Sequence, residues 1–231
     1  MGGAVVTVRK PSAAAWRHAL TVLGALALCP VAALLIGDDA RGPVERARAI
    51  MAFERALGID VEHAVHAWGL QHAWLMTAAG LVYVFAHVAV AGWALIWTWC
   101  LRPDRFRAVR DAFLWTQGLL VAIYVLLPTA PPRLVPGSGF TDTLSGLWGR
   151  QVADSAHLLQ SPYAAVPSGH VAFALVAGLT FARLGDRAWL RAFGCAYPAL
   201  MVLVTVVTGH HLLFDAAAAA LVVAVAVRLA R

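Results

Sequence analysis

The chain has 231 residues, of which 61% are hydrophobic and only 13% are charged, and its mean hydropathy is +0.74. This composition excludes an ordinary soluble domain and predicts an integral membrane protein. The formal net charge of +6 does not indicate nucleic-acid binding, because the basic residues are distributed among short segments between apolar runs.

Six apolar windows predict six transmembrane helices, since a bilayer core about 30 Å thick needs roughly 20 apolar residues for each helical span. Asp215 is the one charged residue within these windows. The windows cover residues 18–37, 74–100, 112–132, 168–182, 192–208 and 211–227. We therefore predict an all-α, polytopic membrane protein, with a cytoplasmic N-terminal segment over residues 1–17 and a single membrane domain over residues 18–231.

The first window follows basic residues, as a secretory signal does, but its apolar run of about 18 residues exceeds the roughly 7–15 of a signal core. We expect it to be retained as a span, with cleavage as the open alternative. Cys29, Cys100 and Cys195 lie in or at the ends of apolar windows without paired spacing. They are predicted to be packed thiols rather than a disulfide framework or a metal cluster.

Arginine and lysine residues cluster at both termini and in every second segment between the windows. The positive-inside rule therefore predicts cytoplasmic termini and cytoplasmic loops near residues 101–111 and 183–191. The loops over residues 38–73, 133–167 and 208–211 then face the extracytoplasmic side of the cell membrane.

The first two of these outer loops are more than connectors. Residues 43–58 open with a proline suited to a first helical turn and repeat apolar side chains at helical spacing. This pattern predicts an amphipathic helix, which either lies at the membrane interface or is a solvated, salt-bridged helix. Residues 133–167 form the longest irregular stretch, and long loops are frequently functional.

The fourth and sixth windows both begin on the outer side, because successive spans alternate in direction. The fourth opens with Pro167, Ser168 and Gly169, and His170 follows in the first turn. Ser168 is a candidate N-cap, and the free backbone N–H groups of such a helix start favour a phosphate-like anion. Gly169 would let the anion approach the backbone closely.

His211 and Asp215 open the sixth window four residues apart, which predicts that they share one helical face within hydrogen-bonding distance. A carboxylate in an apolar helix needs a partner, and His211 is the obvious one. The pair resembles the part of a catalytic triad in which a carboxylate orients an imidazole. His170 and His211 would then face each other across a phosphate, one attacking phosphorus and the other protonating the leaving oxygen.

The segments VPSGH at 166–170 and HHLLFD at 210–215 resemble the second and third signature motifs of the type 2 phosphatidic acid phosphatase superfamily. Members of that superfamily share a six-helix membrane core. YVLLPTAPPRLVP at 124–136 and ERALGI at 54–59 are similar to the branch that includes inositol phosphorylceramide synthases, the aureobasidin-resistance-like proteins. The resemblance covers roughly residues 44–220.

This resemblance implies a role for each matching residue. His211 would be the nucleophile that forms a phosphohistidine, Asp215 would orient it, and His170 would be the general acid. Ser168 and Gly169 would contact phosphate oxygens. Enzymes of this kind need no metal and no other cofactor.

The chain departs from the superfamily pattern in its arginines. Val204 and Thr205 stand where a Ser-Arg pair is expected, and a first motif of the form Lys-x6-Arg-Pro is absent. Arg133 is the preferred substitute for the missing phosphate clamps, because a guanidinium binds a phosphate bidentately, while snorkelling to the interface is its alternative role. Arg150 is a second candidate.

The remaining histidines have open assignments. His210 would assist phosphate binding or cap the helix. His87, deep in the second window and one turn beyond Tyr83, is either a functional intramembrane group or a neutral packing histidine bonded to Tyr83. We expect the other histidines of the outer loops to be interfacial or solvated; they are His63, His66, His72 and His157.

Together these patterns predict a membrane enzyme that acts on a lipid phosphate or phospholipid at the extracytoplasmic face. Water as acceptor gives a phosphatase, and an alcohol such as inositol or another lipid gives a phosphotransferase; the histidine motifs leave both open, and the branch resemblance favours transfer.

One alternative is a metalloenzyme, although the adjacent His210 and His211 would point about 100° apart on a helix. Its ligands would be His170, His210, His211 and Asp215. The other alternative is a non-catalytic scaffold or transporter. No nucleic-acid partner is expected, and the sequence indicates no oligomeric state.

Overall fold

The computed structural model describes residues 13–148 and 161–231, and the regular elements in these residues are all helical, as predicted. A π-helical turn, Val82–Ala86, joins α5 to α6, and a 3₁₀ turn, Pro132–Leu134, follows α7. The α-helices are α1 (Ala13–Leu26), α2 (Leu28–Ile36), α3 (Arg41–Leu57), α4 (Glu62–Leu70), α5 (Ala73–Leu81), α6 (His87–Leu101), α7 (Pro103–Leu126), α8 (Thr143–Trp148), α9 (Gly169–Leu184), α10 (Ala188–Val207) and α11 (Leu213–Leu229).

Among the described helices, three are long and apolar enough to cross a membrane: the continuous stretch Ala73–Leu101, α7 and α10. Leu20–Ile36 and Arg41–Leu57 pass the same test as a pair bent by 105°, so they add a fourth if they form one span. α9 is apolar but shorter. The structure thus supports a membrane protein with three or four spans, and the predicted count of six is not confirmed.

The third predicted window is wrong at its C-terminal end, and α7 extends beyond the window at its N-terminal end. It was expected over residues 112–132, whereas α7 begins at Pro103 and ends at Leu126. Charged residues exclude the first turns of α7 from an apolar window, but they do not prevent helix formation. At the other end Pro128, Pro131 and Pro132 cannot donate backbone hydrogen bonds, so the chain leaves the helix there.

α3 corresponds to the amphipathic helix expected over residues 43–58. Six of its 17 residues are charged, and we therefore treat it as a helix outside the apolar layer. This helix fixes the position of the segment that follows α7, because the carbonyl of Pro43 accepts the N–H of Ala130 at 3.1 Å. Arg46 adds a second contact, its Nε donating to the carbonyl of Pro128 at 2.6 Å.

α9 lies at the centre of the bundle and packs against α6, α7, α10 and α11. Small residues allow the closest of these contacts, that with α10. A Cβ built on Gly178 would lie 2.5 Å from the carbonyl oxygen of Gly194, and one on Gly194 would lie 2.6 Å from the carbonyl oxygen of Gly178. The two backbones therefore approach closely only because both positions are glycine.

Gly178→Ala should lower the free energy of unfolding by roughly 1–3 kcal/mol, because the added methyl group overlaps with the backbone of α10. Gly118→Ala in α7 is the matched control, since no atom lies within 4 Å of a Cβ at that position. Thermal unfolding of the purified protein in detergent measures both variants. Equal melting temperatures for the two would contradict the glycine-mediated packing.

Candidate functional site

A cavity of about 260 Å³ lies where the starts of α9 and α11 meet the π-turn and the segment that follows α7. Several residues singled out from the sequence line it, namely Arg133, Gly169, His170, His210 and His211. Tyr83, His87 and Asp142 are further polar residues in its wall. Arg150, the second arginine candidate, and His157 lie outside the described residues.

His211 and Asp215 form the expected contact by an unexpected geometry. His211 Nδ1 lies 3.0 Å from Asp215 Oδ2. α11 begins only at Leu213, so His211 lies in the turn before the helix, and the prediction of a shared helical face is wrong. Because the carboxylate accepts the Nδ1–H, the lone pair of the imidazole remains on Nε2.

Asp215 is 1% exposed and connects the two helix starts that carry the histidines. Its Oδ2 also accepts the N–H of Leu212 at 3.0 Å, which fixes the turn before α11. Its backbone carbonyl accepts the N–H of Ser168, the residue before α9, at 3.1 Å. Side chain and main chain of one residue thereby join α11 to α9.

Ser168 caps α9, as predicted: its Oγ accepts the N–H of Val171 at 3.4 Å. The side chain is fully buried and is absent from the cavity wall, whereas Gly169 and His170 belong to that wall. In this arrangement the hydroxyl caps the helix start, and Gly169 and His170 are the residues of the motif that face the cavity.

The two imidazoles that the sequence pairs are close to each other. The ring centroids of His170 and His211 lie 6.0 Å apart. Tyr83 stacks on His170 with a centroid distance of 3.9 Å, and His87 contacts the same ring at 4.1 Å. The π-turn contains Tyr83 and directly precedes His87, and such turns within α-helices are frequent at functional sites.

His87 is bonded to Tyr83, although not through the phenol. Its Nδ1–H donates to the backbone carbonyl of Tyr83 at 3.0 Å. The ring nevertheless belongs to the cavity wall beside His170. The structure therefore combines features of both sequence-based interpretations of His87.

The segment between α7 and the 3₁₀ turn positions Arg133. The Thr129 N–H donates to the carbonyl of Tyr163 at 2.7 Å, and the Ala165 N–H donates to the carbonyl of Thr129 at 3.2 Å. These bonds, with those from α3 described above, hold the segment from two sides. Arg133 therefore stands at a fixed place opposite the start of α9.

Arg133 is available to an anionic ligand. Its side chain is 13% exposed, and its Nε has no hydrogen-bond partner among the described residues. The nearest carboxylate is that of Asp142, whose Oδ1 is 3.8 Å away, beyond hydrogen-bonding distance. Since a buried guanidinium N–H needs a partner, a phosphate oxygen in the cavity would satisfy it.

His210 is held as a neutral imidazole. Burial, and next the positive charge of Arg133, lower the pKa of His210 well below its ordinary value. Its Nδ1–H donates to the carbonyl of Thr208 at 3.0 Å, and its ring contacts Tyr83 at a centroid distance of 4.4 Å. The unprotonated Nε2 is then its hydrogen-bond acceptor.

The positions where the family pattern has Ser-Arg contribute backbone rather than charge. Val204 and Thr205 are buried near the end of α10. The carbonyl of Thr205 accepts the N–H groups of both His210 and His211, at 3.0 and 3.2 Å. The turn that carries the two histidines is therefore anchored on α10.

His66 is a correction to the sequence analysis, which expected it at the interface or in solvent. It is fully buried, its Nδ1–H donates to the carbonyl of Val207 at 2.8 Å, and its Nε2 accepts the N–H of Thr141 at 3.0 Å. Gly209 lies against the ring, with φ of +73° and no room for a Cβ, which would come within 2.9 Å of His66 Cε1. His66 thus supports the turn before His210.

Glu54 and Glu62 are the site residues that sequence reasoning missed. Both are 1% exposed. Glu54 Oε1 accepts the N–H of Phe214 at 2.7 Å, and Glu62 Oε1 accepts the N–H of Leu213 at 2.8 Å. The N–H groups at the start of α11 are thus occupied by carboxylates, which leaves the start of α9 as the anion-facing terminus. Local spacing carries no sign of contacts between residues so far apart in the chain.

The metalloenzyme alternative would require a cluster of metal-ligating side chains. Within residues 13–148 and 161–231, no group of three or more His, Cys, Asp or Glu side chains is arranged to hold a metal ion.

Residues 48–229 match the family model of the PAP2 superfamily, the type 2 phosphatidic acid phosphatase superfamily. The chain belongs to the PAP2 superfamily. The matched range includes both histidine segments and every residue named above in the cavity wall. PAP2 membership indicates a phosphatase-type membrane enzyme, and it does not confirm the aureobasidin-resistance-like branch. Searches of curated proteins and of solved structures found no significant match.

A double-mutant cycle tests the geometry at the start of α9. Tyr124 Oη donates to the carbonyl of Pro167 at 2.7 Å, and a Cβ on Gly169 would lie 3.2 Å from that oxygen. Gly169→Ala should therefore destabilise the native protein more than it destabilises the Tyr124→Phe variant, which lacks the oxygen, with a coupling of roughly 0.5–3 kcal/mol. Strictly additive changes in unfolding free energy would contradict this contact.

Proposed function

We propose that this chain is a lipid-phosphate phosphatase or phosphotransferase that works through a phosphohistidine on His211. The observation that carries the proposal is the approach of His170 and His211 to 6.0 Å in a cavity that Arg133 also lines. This separation brings both rings within reach of a single phosphate group bound in the cavity, which is the arrangement that the reaction requires.

In the first step, His211 Nε2 forms a bond to phosphorus while the bond between phosphorus and the leaving oxygen breaks. Asp215 supports this attack by holding the Nδ1–H, so that the positive charge developing on the ring is stabilised. A ring N–H of His170 gives its proton to the leaving oxygen, which departs as an alcohol. The products of this step are the alcohol, neutral His170 and the phosphohistidine.

In the second step, His170 acts in the opposite direction. It takes a proton from the acceptor while the acceptor oxygen bonds to phosphorus, and the P–N bond returns its electron pair to His211 Nε2. Water as acceptor completes a hydrolysis, and an alcohol or another lipid completes a transfer. The first step is common to both, and the resemblance of residues 124–136 to the inositol phosphorylceramide synthase branch supports transfer.

Three further groups would bind the substrate. Arg133 would supply a guanidinium clamp from one side, and the backbone at Gly169 would approach from the helix start on the other. Neutral His210 would accept a hydrogen bond from a hydroxyl of the substrate. These assignments rest on the exposure of each group to the cavity.

The location of the cavity supports a lipid substrate taken from the outer side of the cell membrane. The basic first turns of α7 and the loop between α9 and α10 lie at the bundle end opposite the histidines, as the direction of each helix requires. By the positive-inside rule that end is cytoplasmic. The headgroup would enter the cavity while the tail remains among apolar helices.

A product assay tests the proposed activity. We expect purified protein to convert one of a panel of phosphatidates, isoprenoid phosphates and phospholipids, with and without inositol, into an alcohol plus phosphate or a new phosphodiester. Asp215→Asn should lower kcat by roughly 10²–10⁴. Two results together would favour a non-catalytic scaffold instead. The native protein would show no turnover in the assay, and a correctly inserted His211→Ala variant would preserve the biological output of the protein in cells.

The leaving group distinguishes the role of His170. His170→Ala should slow phosphohistidine formation from an alkyl phosphate by roughly 10²–10⁴, because an alkoxide needs a proton to depart. Formation from p-nitrophenyl phosphate, whose leaving group needs no proton, should be nearly unaffected. Rapid-quench kinetics measure both, and equal losses with the two substrates would contradict the acid role.

Replacement of Arg133 tests the clamp. Arg133→Gln should raise KM by roughly tenfold to a hundredfold, since it removes a charged hydrogen-bond donor. Arg133→Lys should recover only part of the loss, because lysine lacks the bidentate fork. Arg48→Gln, on the exposed side of α3, is the control and should leave KM unchanged. An Arg133→Gln enzyme with native KM would contradict the assignment.

A further inference from the structure

Two carboxyl groups, one from α3 and one from α4, accept backbone hydrogen bonds at the start of α11, the helix that contains Asp215. Glu54 lies in the last turn of α3 and Glu62 in the first turn of α4. Their Oε1 atoms accept the consecutive N–H groups of Phe214 and Leu213 at 2.7 and 2.8 Å. Since both side chains are almost fully buried, these contacts are fixed parts of the structure.

This arrangement places three carboxyl groups around one helix start. Glu54 faces Glu62 from α4 and Asp215 from α11, and burial, followed by these two charges, raises its pKa to about 7, against the lowering effect of the Phe214 N–H. The interaction of the Glu54 side chain with that of Glu62 adds to the raised pKa of Glu54. The raised pKa extends the pH range over which Glu54 keeps its proton.

A hollow of about 350 Å³ lies beside this pair, and its wall includes Glu54 and Glu62. The other titratable residues of the wall are Arg55, Asp60 and His63. Arg55 and Asp60 pair with each other at 3.6 Å and are largely exposed, so they offer the carboxyl pair little compensation. His211 is engaged by Asp215.

On the basis of the proposed function, we propose that Glu54 and Glu62 are positioning residues, which hold His211 and Asp215 in place through their two contacts with the backbone at the start of α11. They touch neither the cavity nor the reacting atoms. Their action passes through the first turn of α11 into the turn that carries His211.

The titration of Glu54 within this cluster of carboxyl groups makes the support dependent on pH. The pKa of Glu54 is raised on folding from 4.5 to about 7, so the protonated carboxyl favours the folded state. Its stabilising contribution is complete below the unfolded value of 4.5 and is lost as the pH rises through about 7. Above that pH, repulsion among the carboxylates would loosen the start of α11.

Hydrogen exchange of the whole protein in detergent tests this without relying on catalysis. After correction for the intrinsic pH dependence, we expect the Leu213 and Phe214 amides of the native protein to lose protection between pH 6 and 8, a window set by the pKa of about 7. Glu54→Gln, which keeps an acceptor oxygen and does not ionise, should abolish this step. Glu54→Ala should exchange about tenfold faster at every pH. Glu45→Ala and Glu45→Gln, at an exposed position of α3, are the matched controls.

The pH profile of kcat then links the positioning to activity, with p-nitrophenyl phosphate as substrate. Glu54→Gln should move the alkaline fall of kcat upward in pH with little change in KM, and Glu54→Ala should lower kcat at all pH values. Native-like protection in Glu54→Ala, or a native pH step in Glu54→Gln, would overturn the proposal. Absence of turnover in the native protein would contradict the proposed function instead, while the exchange data would still decide the role of Glu54.

Discussion

The hydrogen bonds of Asp215 are the constraint on which the rest of the site depends. Its carboxylate accepts from His211 and Leu212, and its carbonyl accepts from Ser168. His170 lies in the first turn of α9 and His211 in the turn before α11, so their separation is fixed only if the starts of these two helices are fixed to each other. A buried acid in an apolar bundle is costly without partners, and here each partner also positions a part of the site.

The surrounding fold concentrates polar groups at one end of an apolar bundle. Glycines at the α9–α10 contact bring the central helix close to its neighbour, and His66 supports the turn that leads to His210. Arg133 lies in the segment that follows α7. Hydrogen bonds to α3 and to the residues before α9 fix the position of this segment. In such a low-dielectric setting, fixed charges and dipoles would act on the proposed phosphate ligand more strongly than they would in water.

Local patterns in the sequence predicted the components of the site better than their arrangement. VPSGH and HHLLFD indicated the cap by Ser168 and the bond between His211 and Asp215, because caps and short turns are local interactions. The start of α11 was misplaced, since hydropathy does not reveal where a turn becomes a helix. Glu54, Glu62 and His66 were missed because their partners are distant in sequence. The predicted count of six spans is not confirmed, because apolar windows do not record bends or charged helix ends.

The most direct test of the central claim is to locate the covalent phosphoryl group during turnover. Protein mixed with a ³²P-labelled lipid phosphate, quenched within milliseconds and digested at alkaline pH, should yield one labelled peptide with the phosphate on His211. The label should be acid-labile and should disappear in a chase with acceptor at the rate of turnover. A label on His170, or turnover with no labelled intermediate at any time, would contradict the account.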